Sequence, residues 1–140
     1  MPKLLVLRFS SIGDLVLTTP VIRALAVQTS YEVHILTKKR FAPVLAHNPY
    51  ITKIHTFERT IDEVITYLKK EQYSFLIDLH KNLRSFRIRL ALGVKTYDFS
   101  KKNIELRIKT MNGSSTKSMI LTISKKRLFI ILRSNYIIIV

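Results

Sequence analysis

Through the first hundred residues, short apolar runs alternate with stretches whose apolar residues recur at helical spacing. Lys3–Leu7 and Glu32–Leu36 read as strands, Lys53–Phe57 as a third, shorter one, and Ser74–Asp78 as a fourth. Beyond Asp14, Leu17, Val21, Ala24 and Leu25 fall at helical spacing. Pro20 interrupts that stretch, so the helix either bends there or restarts with Thr19 as its cap and Pro20 at its first position. A helix carrying Phe41, Val44 and Leu45 stops at Asn48-Pro49. Thr60 heads another: Glu63 completes a capping box, Ile61, Val64, Ile65 and Leu68 form the buried stripe, and Lys69 and Lys70 suit the last turn. Leu83–Leu92 reads as the last helix, ended by Gly93. Strands alternating with helices in this way predict βαβ units, a parallel sheet and right-handed crossovers: an α/β, Rossmann-like fold.

The last forty residues break the pattern. Leu128–Leu132 and Tyr136–Val140 have β propensity, a Gly113-Ser-Ser-Thr loop and Lys125-Lys126-Arg127 punctuate the region, and no helix pattern matches them. The expected division is therefore a Rossmann-like domain over residues 1–105 and a basic, Ile-rich tail over 106–140.

Length and composition narrow the class. A chain of 140 residues holds one core, and 47% hydrophobic with 24% charged residues argues for a folded domain. With no cysteine, disulfides and thiolate metal sites are excluded. No signal peptide and no apolar stretch of the ~20 residues needed for a membrane span is visible, so a cytoplasmic protein is expected. The net charge of +15 is uneven: residues 1–100 carry 15 Lys and Arg against 8 acidic residues, and residues 101–140 carry 9 against 1. A basic surface attracts nucleic acid, anionic lipid or phosphorylated substrates, and charge alone does not choose among them.

The chemistry concentrates where the first strand hands over to its helix, at Ser10, Ser11, Gly13 and Asp14. Ligands of open α/β sheets bind at that edge, where helix N-termini offer N–H groups and a positive dipole end. Gly13 lets a sugar or phosphate approach the backbone, and the serines can hydrogen-bond it. Asp14 is either a helix cap worth ~1 kcal/mol or a general base. On the residues alone the cap is the simpler reading. Lys81, Arg84 and Arg87, three apart, would share a helix face opposite Leu83, Phe86 and Leu90; the cations suit an anionic ligand or a solvated face. Asp78 and His80 could be metal ligands without a third, could place hydroxyls of a ligand, or could hydrogen-bond at the strand end. His34, His47 and His55 read as structural or surface histidines. Lys38-Lys39-Arg40 opens a helix against the dipole, a weak hint of anion contact beside the simpler reading of a solvated loop.

Arg8-Phe9-Ser10-Ser11-Ile12-Gly13-Asp14, followed by Leu15-Val16-Leu17-Thr18-Thr19-Pro20, resembles the opening of the ADP-heptose:lipopolysaccharide heptosyltransferases of glycosyltransferase family nine. The likeness extends to about residue 105 and includes Asp78-Leu-His-Lys81 and Leu83-Arg84-Ser85. It implies the N-terminal half of a GT-B fold, with acceptor bound by this half and nucleotide sugar mainly by the other. Asp14 would be the general base taking a proton from an acceptor hydroxyl as that oxygen displaces ADP with inversion. Ser10, Ser11, Gly13, Lys81 and Arg84 would bind substrate, the cations facing acidic inner-core sugars and lipid phosphates. The implied partners are ADP-heptose as donor substrate and the lipopolysaccharide core or lipid A as acceptor, with peripheral contact to the inner membrane and no nucleic acid. No metal and no organic cofactor is implied.

Residues from about Leu106 onward do not match the family's continuation and have the composition of an AT-rich gene read out of frame. The expectation is a truncated or frameshifted chain, inactive alone without a donor-binding half. Two other classes stand beside this one. A basic binding module for nucleic acid or anionic membrane rests on the charge alone. A single-domain nucleotide-binding protein lacks a G-x-G-x-x-G or Walker pattern after the first strand.

Overall fold

The computed structural model describes residues 1–97 with their side chains, the backbone of residue 98, and the backbone of residues 119–123, 128–132 and 136–139. The chain divides into two compact units, Met1–Asp98 and Phe99–Val140. In the first, β1 (Lys3–Leu7), β2 (Glu32–Lys38), β3 (Lys53–Phe57), β4 (Phe75–Asp78) and β5 (Lys95–Asp98) form a sheet in the order β3-β2-β1-β4-β5. Every neighbouring pair is parallel. Central β1 is sealed on both faces: Leu4, Leu5, Val6 and Leu7 are all fully buried, the pattern of a parallel strand covered by helices on each side.

Those covers are α1 (Ile12–Gln28), a 3₁₀ helix (Lys39–Val44), α2 (Asp62–Lys70) and α3 (Leu83–Leu92). The sheet order sends β1 to its neighbour β2 and β4 in the opposite direction to β5. Right-handed crossovers then put α1 and the 3₁₀ helix on one face, with α2 and α3 on the other; the observed packing of α1 beside the 3₁₀ helix and of α2 beside α3 agrees. Leu5, Leu7, Leu36 and Phe57 of the strands pack with Ile61, Val64, Leu68 and Ile88 under the α2/α3 layer.

Four local expectations change. Helix α1 runs unbroken through Pro20, because the Thr19 hydroxyl donates to the Val16 carbonyl (2.7 Å), the acceptor that the proline nitrogen leaves without a partner. The segment around Phe41 is a 3₁₀ helix with Pro43 inside it. Glu63 does cap the start of α2, but its carboxylate takes three amides, those of Glu58, Arg59 and Thr60, at 3.0, 3.0 and 2.8 Å. Leu17, Leu83, Phe86 and Leu90 are exposed: α1 buries Leu15, Thr18, Val21, Ile22, Ala24 and Leu25, and α3 buries Ser85 and Ile88.

In the second unit, β6 (Met119–Ile123), β7 (Leu128–Leu132) and β8 (Tyr136–Ile139) make an antiparallel sheet in sequence order. The Gly113-Ser-Ser-Thr loop, Lys125–Arg127 and the boundary near residue 105 lie outside the described residues. Among the described residues, no helix is long and apolar enough to cross a membrane.

Candidate functional site

Strands β1 and β4 are neighbours, with Leu7 opposite Asp78, and their chains leave the sheet toward opposite sides. Such a divergence opens a crevice at the carboxyl edge, flanked by the N-termini of the two following helices, here α1 and α3. The residues singled out in the first segment and those of Asp78–Arg84 therefore converge on one place from two strands.

Arg8 joins the two sides. Its guanidinium donates to the Leu79 carbonyl beyond β4 and pairs with the Asp14 carboxylate at the third position of α1. Asp14 Oδ2 also accepts the Ser11 amide (3.1 Å) and the Ser11 hydroxyl (3.3 Å). These contacts all fall on Oδ2. The carboxylate is thus clamped by one oxygen while its side chain stays 44% exposed, which leaves Oδ1 for a ligand hydroxyl. Partial burial pushes the Asp14 pKa up, but the Ser11 amide, the Arg8 guanidinium and the Ser11 hydroxyl outweigh it and bring the pKa below its ordinary value. Asp14 is therefore a cap by its bonds, with a carboxylate that stays part-exposed at the rim.

Gly13 is exposed, and a Cβ placed there would meet nothing within 4 Å. Packing of the chain itself therefore does not call for glycine here. Ser10 is half-buried and Ser11 exposed at the same rim. Phe9 is buried beneath them, edge-on to Phe57 (5.1 Å between ring centres) and 4.7 Å from the His80 ring. Burial lowers the His80 pKa, Arg8 lowers it further, and Asp78 and Asp14 oppose this.

On the β4 side, Asp78 is fully buried, and its Oδ1 accepts the amides of His80 (3.0 Å) and Lys81 (2.9 Å). Its other oxygen makes no hydrogen bond and lies 3.9 Å from Arg89. Asp78 shapes the turn, which is the strand-end reading. Lys81 sits in that turn with φ 51°, ahead of α3, so it does not share a helix face with Arg84 and Arg87 as its spacing suggested. Asn82 caps α3 by accepting the Ser85 amide (2.9 Å), and Gly93 ends it with φ 62°. Arg84 is exposed in the first turn of α3, where the dipole disfavours a cation and an anionic ligand would offset it. Arg87 is paired with Asp62 at 2.9 Å. Lys39 pairs with Glu58, and Arg40 lies over the Phe41 ring at 4.6 Å, so these two cations of the basic run have partners within the chain.

His34 and His55 are buried together with Tyr73 at the amino edge of the sheet, opposite the crevice. Taken singly in the sequence, each reads as a structural histidine. A histidine inside each of two successive apolar strands was the available signal.

The sequence matches no family model and no curated protein sequence. Among solved structures, it is similar to a glycosyl transferase of family 9 from Veillonella parvula (TM-score 0.63, 18% identity), covering 69% of this chain and 32% of that one. It is also similar to ADP-heptose lps heptosyltransferase II from E. coli (TM-score 0.60, 20% identity), covering 69% of this chain and 30% of that one. A third match is E. coli heptosyltransferase WaaC with ADP (TM-score 0.52, 14% identity), covering 69% and 34%. The chain thus spans about a third of the length of each. Over 69% of its own length, it has the fold of part of a glycosyltransferase.

Proposed function

We propose that the first unit is the acceptor-binding, base-bearing half of a heptosyltransferase-like glycosyltransferase acting on the lipopolysaccharide inner core. The observation that carries this reading is Asp14, clamped through one oxygen at the mouth of the β1/β4 crevice with the other left for a hydroxyl. In this reading Asp14 Oδ1 accepts the proton of an acceptor hydroxyl, whose oxygen attacks the anomeric carbon of ADP-heptose and displaces ADP with inversion. General-base assistance of this kind contributes about 10²–10⁴ in rate. Arg8 and Ser11 fix the carboxylate at the cost of basicity, so its orientation matters more than a raised pKa. Gly13 and the serines line the approach, while Lys81 and Arg84 meet the acidic groups of the acceptor. Exposed Ile12 and Leu83, the first residues of α1 and α3, give the rim an apolar character suited to a lipid-bearing acceptor at a membrane surface.

The described residues contain one Rossmann-like unit, and the proposal assigns donor binding to a second. The chain by itself is then expected to bind acceptor without transferring sugar. Calorimetry with a phosphorylated inner-core acceptor tests this: wild-type chain binds it, and Arg84→Ala with Lys81→Ala weakens binding ten-fold or more. Absence of acceptor binding, or ADP release from ADP-heptose plus acceptor by this chain alone, would refute the division of labour.

A further inference from the structure

At the amino edge of the sheet, remote from the crevice, four polar side chains converge beneath the end of α2. His34 (β2) and His55 (β3) are brought together by the β2/β3 register, in which His34 faces Lys53 and Leu36 faces His55. Tyr73 and Glu71 arrive from the segment before β4. Both histidines and Tyr73 are buried, in strands and a core otherwise filled by Leu, Ile, Val and Phe. The Tyr73 hydroxyl lies 2.9 Å from His34 Nδ1 and 2.9 Å from His55 Nε2, and the two nitrogens are 3.5 Å apart. Glu71 completes the group: one ring nitrogen of each histidine and one carboxylate oxygen of Glu71 lie within 4.8 Å of one another.

We propose that His34 Nδ1, His55 Nε2 and a Glu71 oxygen, with the Tyr73 hydroxyl at the fourth corner, form a site for a late first-row divalent cation of the zinc type. The two nitrogens and the phenol oxygen fall on a circle of radius about 1.8 Å, so an ion just above their plane reaches all three at the ~2.0–2.1 Å of a zinc–nitrogen bond. The 3.5 Å between the nitrogens is close to the ~3.3 Å edge of a zinc tetrahedron, while the two 2.9 Å edges to Tyr73 open by a few tenths of an ångström when the ion enters. Behind His34, Nε2 faces Glu32 Oε2 at 3.8 Å. A carboxylate there favours the proton on Nε2 and turns the Nδ1 lone pair inward, the arrangement that orients metal-ligating histidines. Imidazole, imidazole and carboxylate are donors that zinc, cobalt and nickel share.

The opposing charges are Lys3 and Lys53, both of which hold Glu71. Lys53 is half exposed and free to swing into solvent as the ion takes its carboxylate partner, whereas Lys3 at 2.6 Å stays on the far oxygen. Lys53 therefore competes with the metal for Glu71. This inference does not depend on the proposed transferase role.

The test uses the whole 140-residue chain, free of any histidine tag and stripped with a chelator, titrated with Zn²⁺ by calorimetry and with Co²⁺ by visible absorption. The expected result is one ion per chain in the micromolar range or tighter, with the intense visible bands of four-coordinate cobalt. His55→Asn and Glu71→Gln each weaken binding ten-fold or more. Lys53→Met tightens it, and the exposed His47→Ala leaves it unchanged. Circular dichroism verifies that each variant is folded; should His55→Asn unfold, Glu71→Gln at the edge of the cluster decides. No 1:1 binding, weak six-coordinate cobalt bands, or equal affinity in wild type and Glu71→Gln overturns the proposal.

Discussion

Lowering the pH from 8 to 5 should destabilise the first unit through His55. Desolvation by burial, with smaller contributions from His34 and the two lysines, brings the His55 pKa from its ordinary 6.5 down to about 4. The unfolded chain then binds more protons than the folded one wherever the pH lies between these values, so stability is full above 6.5 and drains away as pH falls toward 4. The full shift is worth about 3 kcal/mol at 1.36 kcal/mol per unit, and about 2 kcal/mol of it is lost between pH 8 and pH 5. Against a domain stability of about 5–15 kcal/mol this is a large fraction. His34, also lowered by burial, adds to the loss in the same direction. Urea unfolding followed by circular dichroism at pH 8 and pH 5, with chelator present to exclude metals, measures it. In His55→Asn the pH-dependent part should shrink by about 2 kcal/mol while the variant is less stable at pH 8. A wild type equally stable at both pH values, or a variant with the same pH dependence, would refute the reasoning.

Other outcomes follow from the same structure. Below pH 4.5 a second loss begins, because hydrogen bonds from Lys3 and Lys53 hold Glu71 down to about 2; Glu71→Gln should flatten unfolding curves between pH 4.5 and 2. Gly13→Ala should raise stability by roughly 0.5–1 kcal/mol, since nothing in the chain opposes a Cβ there; under the proposed function it should also weaken acceptor binding. Asn82→Ala should cost about 1 kcal/mol through loss of the α3 cap, read from the urea midpoint. Ile88→Ala should cost roughly 2–5 kcal/mol while Leu83→Ala on the same helix stays within about 0.5 kcal/mol, because only the first is buried.

Much of the sheet was legible because its strands are apolar runs set off by punctuation, and four of the five stand out in the sequence in this way. Helix α3 was legible to the residue, since Gly93 adopts the left-handed conformation that ends it. Its buried side was not. An apolar stripe at Leu83, Phe86 and Leu90 resembles a core face, but the reciprocal Asn82–Ser85 cap and the packing of Ile88 set the helix the other way round. Pro20 looked disruptive because the pattern does not say that Thr19 can satisfy the carbonyl the proline leaves unpaired. At the candidate site, Ser10–Asp14 announced itself by its place after a strand, whereas the Arg8 clamp needed the β1/β4 pairing to bring Leu79 alongside. The His34–His55–Tyr73 cluster was hidden for the same reason. His34 and His55, 21 residues apart, meet through the β2/β3 register, and Tyr73 reaches them from the segment before β4.

The most direct test of the crevice as an acceptor site is an amide NMR titration of the chain with a phosphorylated inner-core acceptor. Saturable shifts confined to Arg8–Asp14 and His80–Arg84, reduced in Arg84→Ala, are the predicted result. Shifts absent from both segments, or centred on the His34–His55 edge, would contradict it.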